Sequence, residues 1–312
     1  MLTKQKRSIW ATIVAYVVVC SVVTGAWITS RWLTAQLSGN LPEPITPAPA
    51  VYAQSVPVEP EYQPEPKIDS LEVKLQAIVD DFAASQSGKY GIYVEHLPTN
   101  TTAEHRSGMA MTSASLYKLF VANEAFKMIE QHRLAPEMKV ENKRNLTLSQ
   151  CLEIMIIRSD NKCGVALQHL TGTANNPLPA MEQQGFKDTD LRGYFPQTSA
   201  RDVARMYKNL LKPTYLKKSG AHQLLELLSR QEIRDRLPQG LPAGTEVMHK
   251  TGDLKGYAHD GGIIRTKAGE YILVVMSEPD SATSLPLRYS HIAELTASIH
   301  QQITAYEKEA AR

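Results

Sequence analysis

The sequence predicts an α+β domain, in which one antiparallel sheet flanked by helices is interrupted by a helical lobe, behind a single membrane-spanning helix. Segments with strand character lie near both ends of the domain, at 90–97 and at 246–277. The residues between them, from 115 to about 210, have mostly helical patterns. Strands at both ends of a domain around a helical middle are typical of one sheet with an inserted all-helical lobe.

The elements of this domain, residues 68–312, are predicted from local patterns. Asp69 with Glu72 indicates the start of a first helix. Alternating and β-branched residues with intervening turns predict the strands. The remaining predicted elements are a strand at 90–97 with a turn at 98–101 into a second strand, strands at 246–250, 262–266 and 271–277, a turn at 267–269 and a last helix at 285–305.

Composition narrows the possible functions. The chain has 312 residues, of which 43% are hydrophobic and 21% charged, as in ordinary globular proteins. A net charge of +2 gives no basic face for nucleic acid. Three cysteines without a Cys-x-x-Cys pair argue against a disulfide scaffold and a zinc site, so we expect no metal and no other cofactor.

The N-terminal region, residues 1–34, predicts a membrane anchor. Lys4, Lys6 and Arg7 precede an uncharged apolar run, Ser8–Ser30, which as a helix would be about 35 Å long. That length crosses a hydrocarbon layer of roughly 30 Å. With only Arg31 behind the run, the charge distribution places the N-terminus inside and the domain outside the cell. We therefore expect a single-pass protein of the cell membrane.

A cleaved signal peptide is the alternative interpretation of this region. It would have a shorter apolar core that ends in small residues, which the sequence lacks. Lipid modification of Cys20 is less favoured, because three valines precede it. All of these interpretations place the domain on the outer side of the cell membrane.

Residues 35–67 are rich in Pro, Ala, Glu and Gln. Proline fixes φ and removes a backbone donor, so this segment is expected to be an extended tether without a core. At ~3.1 Å per residue it could reach on the order of 100 Å from the membrane. We interpret it as a spacer.

Ser115 and Lys118 lie at the beginning of an apolar helical run, 119–121. A serine in the first turn of a helix lies beside free backbone N–H groups, which favour developing negative charge. A lysine three residues later projects from the same face, and its neutral amine could accept the hydroxyl proton if burial lowers its pKa. A helix cap and a surface lysine give the same pattern, so this motif alone does not predict an enzyme.

Two polar triplets follow in the chain. Ser159-Asp160-Asn161 comes after an apolar helical stretch, which its short polar residues can end, turning the serine and the asparagine toward a cleft. Lys250-Thr251-Gly252 lies at the end of a predicted strand and could offer a cation, a hydroxyl and an unobstructed backbone to a substrate carboxylate. Each triplet alone is also compatible with an ordinary turn.

In this order, the three motifs resemble the signature of the class A β-lactamases and their penicillin-binding relatives. The segments 240–245 and 260–264, which surround Lys250, are similar to that family as well. The resemblance spans roughly residues 68–312. It implies a β-lactamase/transpeptidase-like fold and a serine hydrolase that forms an acyl-enzyme.

The resemblance also implies four catalytic residues. Ser115 would be the acylated nucleophile, and Lys118 would accept its proton. Ser159 would pass a proton to the departing nitrogen, and Lys250 would steer that transfer. Hydroxyls and amines suit these roles because both can carry protons.

Four more residues would bind substrate by the same resemblance. Asn161 would hold the substrate's amide, and Thr251 with Lys250 its carboxylate, beside the side-chain-free backbone of Gly252. The N–H groups of Asp253 and of the nucleophilic serine would form the oxyanion hole.

The chain departs from the family at the loop that carries the water-activating glutamate in class A β-lactamases. The corresponding segment, 185–197, is short and contains no glutamate. Asp188 or Asp190 could substitute, but solvated loop aspartates are the simpler interpretation. Without a positioned base, the acyl-enzyme should form and then hydrolyse slowly.

Three functions follow as alternatives. The first is a membrane-anchored, β-lactamase-like hydrolase with impaired deacylation. The second is a D-Ala-D-Ala carboxypeptidase or transpeptidase acting on peptidoglycan stem peptides. The third is a non-catalytic module that binds the cell wall. We expect a β-lactam or peptidoglycan peptide as ligand and a monomeric catalytic domain.

Two residue pairs near the motifs are expected to have no chemical role. A single helix would separate Cys151 from Cys163 by about 18 Å, so free packed thiols are expected unless the chain doubles back. His249 and His259 stand near Lys250 without a second ligand pair at metal-like spacing, so we interpret them as wall or surface residues.

Overall fold

The computed structural model describes residues 70–141, 145–175 and 178–312. Within these ranges, no helix has both the length and the apolar character needed to cross a bilayer. The predicted membrane span, Ser8–Ser30, and the predicted tether, 35–67, lie outside the described residues.

In the described residues, the strands of the main sheet lie near the two ends of the domain sequence, and most of the helices lie between them. The helices are α1 (Leu71–Ser85), α2 (Tyr117–Glu130), α3 (Leu148–Ile157), α4 (Asn161–Leu170), α5 (Leu178–Gln183), α6 (Ala200–Leu211), α7 (Lys218–Ser229) and α8 (Leu285–Ala310). The strands are β1 (Tyr90–His96), β2 (Thr101–His105), β3 (Met111–Thr112), β4 (Gln197–Thr198), β5 (Val247–Leu254), β6 (Tyr257–Arg265) and β7 (Glu270–Ser277). Short 3-10 turns occur at Ala114–Leu116 and Leu237–Gly240.

The antiparallel sheet and the inserted helical lobe are confirmed. Five strands pair in the order β2-β1-β7-β6-β5, and every pairing is antiparallel. The helices α2 to α7 are inserted in the chain between β2 and β5. The order leaves β5, the strand that carries Lys250, at an edge of the sheet beside the 3-10 turn that carries Ser115.

Side chains alternate between the two faces of this sheet, and each face is covered. Ile92 and Val94 of β1 belong to a core that includes Leu75 of α1 and Ile299 of α8. Tyr93, between them in the chain, belongs to the larger core that the helical lobe builds on the other face. The sheet is therefore buried on both faces, one of them beneath the helical lobe.

Several predicted bounds were wrong, most importantly that of the strand with the Lys-Thr-Gly triplet. β5 continues to Leu254, so the triplet lies inside the strand, where Lys250 pairs with Gly261 and Asp253 with Ala258. Polar residues and glycine have low strand propensity, so the local pattern ends the strand too early. Because β6 correspondingly starts at Tyr257, the predicted start at 262 was also late.

The helix termini differ from the prediction at two places. Ser70 caps α1, because its Oγ accepts a hydrogen bond from Val73 N at 3.3 Å. Asp69, the predicted cap, lies outside the described residues. The last helix, α8, continues to Ala310, one turn beyond the predicted end.

Candidate active site

Ser115 lies in the 3-10 turn that precedes α2. Ala114, the residue before it, has a φ of 45°, a conformation that costs a non-glycine residue about 1–3 kcal/mol and is concentrated at functional sites. Ser113 N donates to Pro196 O at 2.7 Å, which ties the turn to the loop 185–197. The N–H groups in the first turn of a helix have no intrahelical acceptor, so the N–H of Ser115 is available to an oxyanion.

The side chain of Lys118 is fully buried, and its Nζ contacts four oxygen atoms. The two shortest contacts run to Ser159 O at 2.6 Å and to Asn161 Oδ1 at 2.7 Å, which can only accept hydrogen bonds. The others run to the hydroxyls of Ser115 at 3.0 Å and Ser159 at 3.2 Å. A neutral amine has two N–H donors, which these two acceptors use, so its lone pair is left to face a hydroxyl.

Burial favours the neutral form of Lys118. It lowers the pKa of Lys118 to about 8, against the opposing effect of the nearby Asp160 carboxylate. Burial, and next the positive charge of Lys118, hold the pKa of Lys250 well below its usual range. Two lysines that compete for protons in one buried site make a base available near neutral pH.

Ser159 is brought between these lysines by a tight reversal of the chain. α3 ends at Ile157 and α4 begins at Asn161, and Ser159 between them has a φ of 56°. Asp160 caps α4 by accepting a hydrogen bond from Cys163 N at 2.9 Å. Lys250 Nζ lies 2.9 Å from Ser159 Oγ, so the hydroxyl contacts both lysines.

Gly164 permits the close approach of α4 to Lys118, which the sequence did not indicate. A Cβ atom at this position would lie 2.8 Å from Lys118 Cε and 2.5 Å from Tyr117 Oη. Real Cβ atoms essentially never come this close to another heavy atom. In the sequence, a glycine four residues after an Asp cap is only a weak indication of close packing, because it does not show which helix packs against it.

Cys151 and Cys163 form a disulfide, so the expectation of free thiols was wrong. That expectation assumed one continuous helix, but the reversal at Ser159 brings the two Cα atoms to 5.3 Å. Such a distance is within the usual range for a disulfide. The disulfide closes the loop that contains Ser159 and Asn161.

The strand β5 brings Lys250 and Gly252 to the nucleophile. A Cβ on Gly252 would lie 3.1 Å from Ser113 O, closer than most Cβ contacts, so a side chain here would require the turn to shift by a few tenths of an ångström. Alternate N–H groups of an edge strand point away from the sheet. The backbone of β5 can therefore offer donors to a ligand beside Ser115.

The side chain of Thr251, like the backbone N–H groups of β5, indicates that a ligand binds at this strand. Its Oγ1 atom is buried and has no hydrogen-bond partner among the described residues. A buried hydroxyl without a partner costs about 1–3 kcal/mol. A bound oxygen ligand would satisfy it.

Asp253 belongs to a charged cluster that the sequence analysis did not foresee. Its Oδ1 accepts hydrogen bonds from Arg236 at 2.7 Å and from the Tyr289 hydroxyl at 2.6 Å. The Arg236 guanidinium also lies 4.0 Å from the centre of the Tyr289 ring, a cation–π geometry. These partners come from a loop and from α8, so no local pattern could identify them.

His249 and His259 are fully buried, so neither is a surface residue. His249 Nδ1 lies 2.9 Å from Asp260 Oδ1. His259 Nε2 donates to Thr112 O at 2.8 Å, and burial lowers the pKa of this imidazole to about 4, so it is neutral at pH 7. Both imidazoles are held by hydrogen bonds within the protein, and no cluster of three His, Cys, Asp or Glu residues able to hold a metal occurs in the described part of the chain.

The loop 185–197 holds its two aspartates in place. Asp188 accepts a hydrogen bond from Ser199 Oγ at 2.9 Å. Asp190 pairs with Arg192 at 2.7 Å, and this hydrogen bond lowers the pKa of the Asp190 carboxyl. Among the described residues, neither carboxylate forms a hydrogen bond with Ser115 or Lys118.

An open groove begins at Asn161 and runs along α4. It is bordered on one side by the segment 138–141 and on the other by α4. Its lining is mostly apolar and includes Met138, Val140, Val165, Ala166 and Leu170. Asn161, which also contacts Lys118, is the residue that this groove shares with the candidate site.

A sequence profile described as the beta-lactamase enzyme family matches residues 70–304. No curated protein matches the chain. Among solved structures, PBP-A is 21% identical with a TM-score of 0.68, covering 75% of this chain and 96% of that chain. An acyl-enzyme complex of a PBP-A point mutant with penicillin-G is 20% identical, with the same TM-score and coverage.

A beta-lactamase from Chitinophaga pinensis is similar to the same degree. It is 19% identical with a TM-score of 0.68, and the alignment covers 73% of this chain and 99% of that chain. At these identities, the structural likeness establishes the fold.

Proposed function

Since this chain belongs to the beta-lactamase enzyme family, we propose that it is a serine hydrolase whose Ser115 forms an acyl-enzyme with β-lactams. The observation that carries the proposal is a continuous set of contacts from the nucleophile to the second lysine. Ser115 Oγ lies 3.0 Å from Lys118 Nζ, which lies 3.2 Å from Ser159 Oγ, which lies 2.9 Å from Lys250 Nζ. A proton can move along these atoms from the nucleophile toward a leaving group.

The proposed acylation uses this set in two steps. Neutral Lys118 takes the hydroxyl proton as Ser115 Oγ bonds to the lactam carbonyl carbon, and the oxyanion is stabilised by the N–H groups of Ser115 and Asp253. The carbon–nitrogen bond then breaks, and the nitrogen receives the proton of Ser159 Oγ. Ser159 regains a proton from Lys118, so the base is again neutral and the serine is esterified.

Binding would use the side chains of Asn161, Thr251 and Lys250. Asn161 Oδ1 is occupied by Lys118. Its amide nitrogen remains to donate to the carbonyl of a substrate amide. The Thr251 hydroxyl and the Lys250 amine, whose ammonium form a bound carboxylate would favour, can bind that carboxylate together. Asn161 and Lys250 would hold the substrate at its two ends.

We expect the rate of Ser115 acylation to depend on pH with a midpoint of about 8, the pKa of Lys118. The reactive form of the lysine is the neutral one, so the rate should fall about tenfold per pH unit below the midpoint and level off above it. Stopped-flow acylation with a chromogenic cephalosporin between pH 5 and 10 measures this profile. A rate that is constant from pH 6 to 9 would show that Lys118 is not the base.

The direct test is intact-mass spectrometry of the full chain in detergent with benzylpenicillin. We expect one adduct of the mass of the drug on wild-type protein and none on Ser115→Ala. Ser113→Ala is the matched control, because it removes a hydroxyl two residues away and should retain the adduct. Absence of an adduct on the folded wild type would refute the acyl-enzyme proposal and favour a non-catalytic wall-binding module.

A second candidate activity is a D-Ala-D-Ala carboxypeptidase or transpeptidase. It is favoured by the loop 185–197, which has no glutamate and whose two aspartates have other partners. The groove along α4 would admit an extended stem peptide. Release of D-alanine from a synthetic peptide that ends in D-Ala-D-Ala tests this activity, and its absence beside a β-lactam adduct would leave the first candidate.

We further propose that the segment Ser8–Ser30 anchors the chain in the cell membrane, with a monomeric catalytic domain outside. The sequence supports this through the basic residues ahead of the apolar run. The disulfide of Cys151 and Cys163 agrees with an oxidising compartment. Fractionation of cells with and without residues 1–34 distinguishes an anchored from a released protein.

A further inference from the structure

The disulfide joins the two helices on either side of the chain reversal that carries Ser159. Cys151 in α3 and Cys163 in α4 are both fully buried. The backbone N–H of Cys163 also donates to Asp160 Oδ1 at 2.9 Å, so one residue is part of both the disulfide and the cap of α4. The disulfide therefore fixes the first turn of α4 relative to α3.

That first turn is the part of the protein that covers Lys118. Asn161, two residues before Cys163, accepts from Lys118 Nζ at 2.7 Å. Gly164, the residue after Cys163, leaves no room for a Cβ atom beside Lys118 Cε. A small displacement of α4 would separate the lysine from its acceptor and admit water to it.

Apart from the disulfide, α4 is held by non-covalent packing against α2 and α3. The helix has ten residues, of which only Cys163, Gly164, Leu167 and Gln168 are buried. Helices of this length are marginal on their own in water. Gln168 bonds to Leu191 O near the far end, so the disulfide is the covalent restraint at the end near the base.

We propose that the Cys151–Cys163 disulfide is a positioning element for catalysis, which keeps Lys118 covered and in its neutral form by holding the start of α4 against it. This inference rests on the proposed acylation by Ser115. In the described part of the chain, the ionisable groups that face Lys118 are Asp160 at the cap of α4, Lys250 from β5 and Tyr117 on the lysine's own helix. The pKa of Tyr117 is raised to about 12 by burial, so it stays neutral.

The experiment compares pH profiles of acylation in the full chain. In Cys151→Ser/Cys163→Ser, looser packing of α4 should hydrate the lysine and stabilise its ammonium form. We expect the midpoint of acylation to rise by at least one pH unit from about 8, and the rate at pH 7 to fall about tenfold. Cys151→Val/Cys163→Ala fills the site without a covalent bond, and we expect the same direction of change there.

A matched control separates positioning from stability. Leu75→Ala removes packing between α1 and the sheet, far from α4, and should lower the unfolding temperature without moving the midpoint. A wild-type midpoint in either folded cysteine variant would overturn the proposal. So would a midpoint that shifts equally in Leu75→Ala.

A second readout is independent of acylation. The NMR titration of the Lys118 Cε resonance, assigned by comparison with Lys118→Arg, should show the same rise in the cysteine variants. If wild-type protein forms no adduct but the resonance shifts, the proposed function fails and the positioning role stands. If the adduct forms and the resonance does not shift, the positioning role alone fails.

Discussion

Replacement of Lys118 by methionine is expected to slow the acylation of Ser115 by about 10³–10⁴-fold at pH 8, near the upper end of what a general base contributes. The substitution removes the amine that lies 3.0 Å from Ser115 Oγ and 3.2 Å from Ser159 Oγ. Methionine has similar length and fills the buried space. The loss should therefore report the missing base, measured as the second-order rate of adduct formation with benzylpenicillin.

The stability of Lys118→Met is expected to stay close to wild type. Folding lowers the pKa of Lys118 from 10.5 to about 8, so the buried ammonium costs the native state about 3 kcal/mol below pH 8. The unfolded chain binds the proton more tightly, so this cost disappears as the pH rises from 8 to 10.5. Methionine relieves the cost but leaves Ser159 O and Asn161 Oδ1 without their donor, at about 1 kcal/mol or more each. The two effects are similar in size and opposite in sign.

Lys162→Met provides the control for charge. This exposed lysine follows Asn161 directly, and its removal takes away a cationic side chain close to the site without touching Lys118. It should alter the acylation rate less than about threefold. If Lys118→Met acylates within tenfold of wild type while Ser115→Ala does not acylate at all, another group must accept the proton.

The sequence indicated which residues meet at the site better than how the chain brings them together. A spacing of three residues places Ser115 and Lys118 on one face of a helical segment wherever that helix packs. Local patterns also predicted the fold class, because they place the strands near both ends of the domain sequence and the helices mostly between them. The end of the helix before Ser159 was predicted, since short polar residues end helices, but the reversal that follows it was not.

Long-range contacts account for what the sequence did not reveal. The disulfide was missed because its geometry depends on a left-handed residue, Ser159, whose conformation is not encoded by residue type. Arg236 reaches Asp253 from a separate loop, and Asp202 of α6 accepts hydrogen bonds from the backbone of residues 187 and 188. Such partners are set by packing between elements. The position of Asp253 directly after the Lys250-Thr251-Gly252 triplet was the only sign of this cluster in the sequence, and it does not indicate that Arg236 is the partner.

Slow deacylation is the expected result with the largest consequence for function. We expect the wild-type penicillin adduct to have a half-life of roughly ten seconds to ten minutes, because a missing general base lowers a typical turnover of ~10 s⁻¹ by about 10²–10⁴-fold. The chain has no glutamate in the loop 185–197 to activate the water. Quenched-flow mass spectrometry after removal of free drug measures this lifetime.

The two loop aspartates are the groups that could contradict this expectation. Asp190 is bound by Arg192, and the low pKa of its carboxyl makes it a weak base. Asp188 is bound by Ser199 Oγ at 2.9 Å. Asp190→Asn and Asp188→Asn should therefore each leave the adduct lifetime within about twofold of wild type. A tenfold longer adduct in either variant would identify that aspartate as the water-activating base, and the chain would then be a β-lactamase that deacylates through an aspartate.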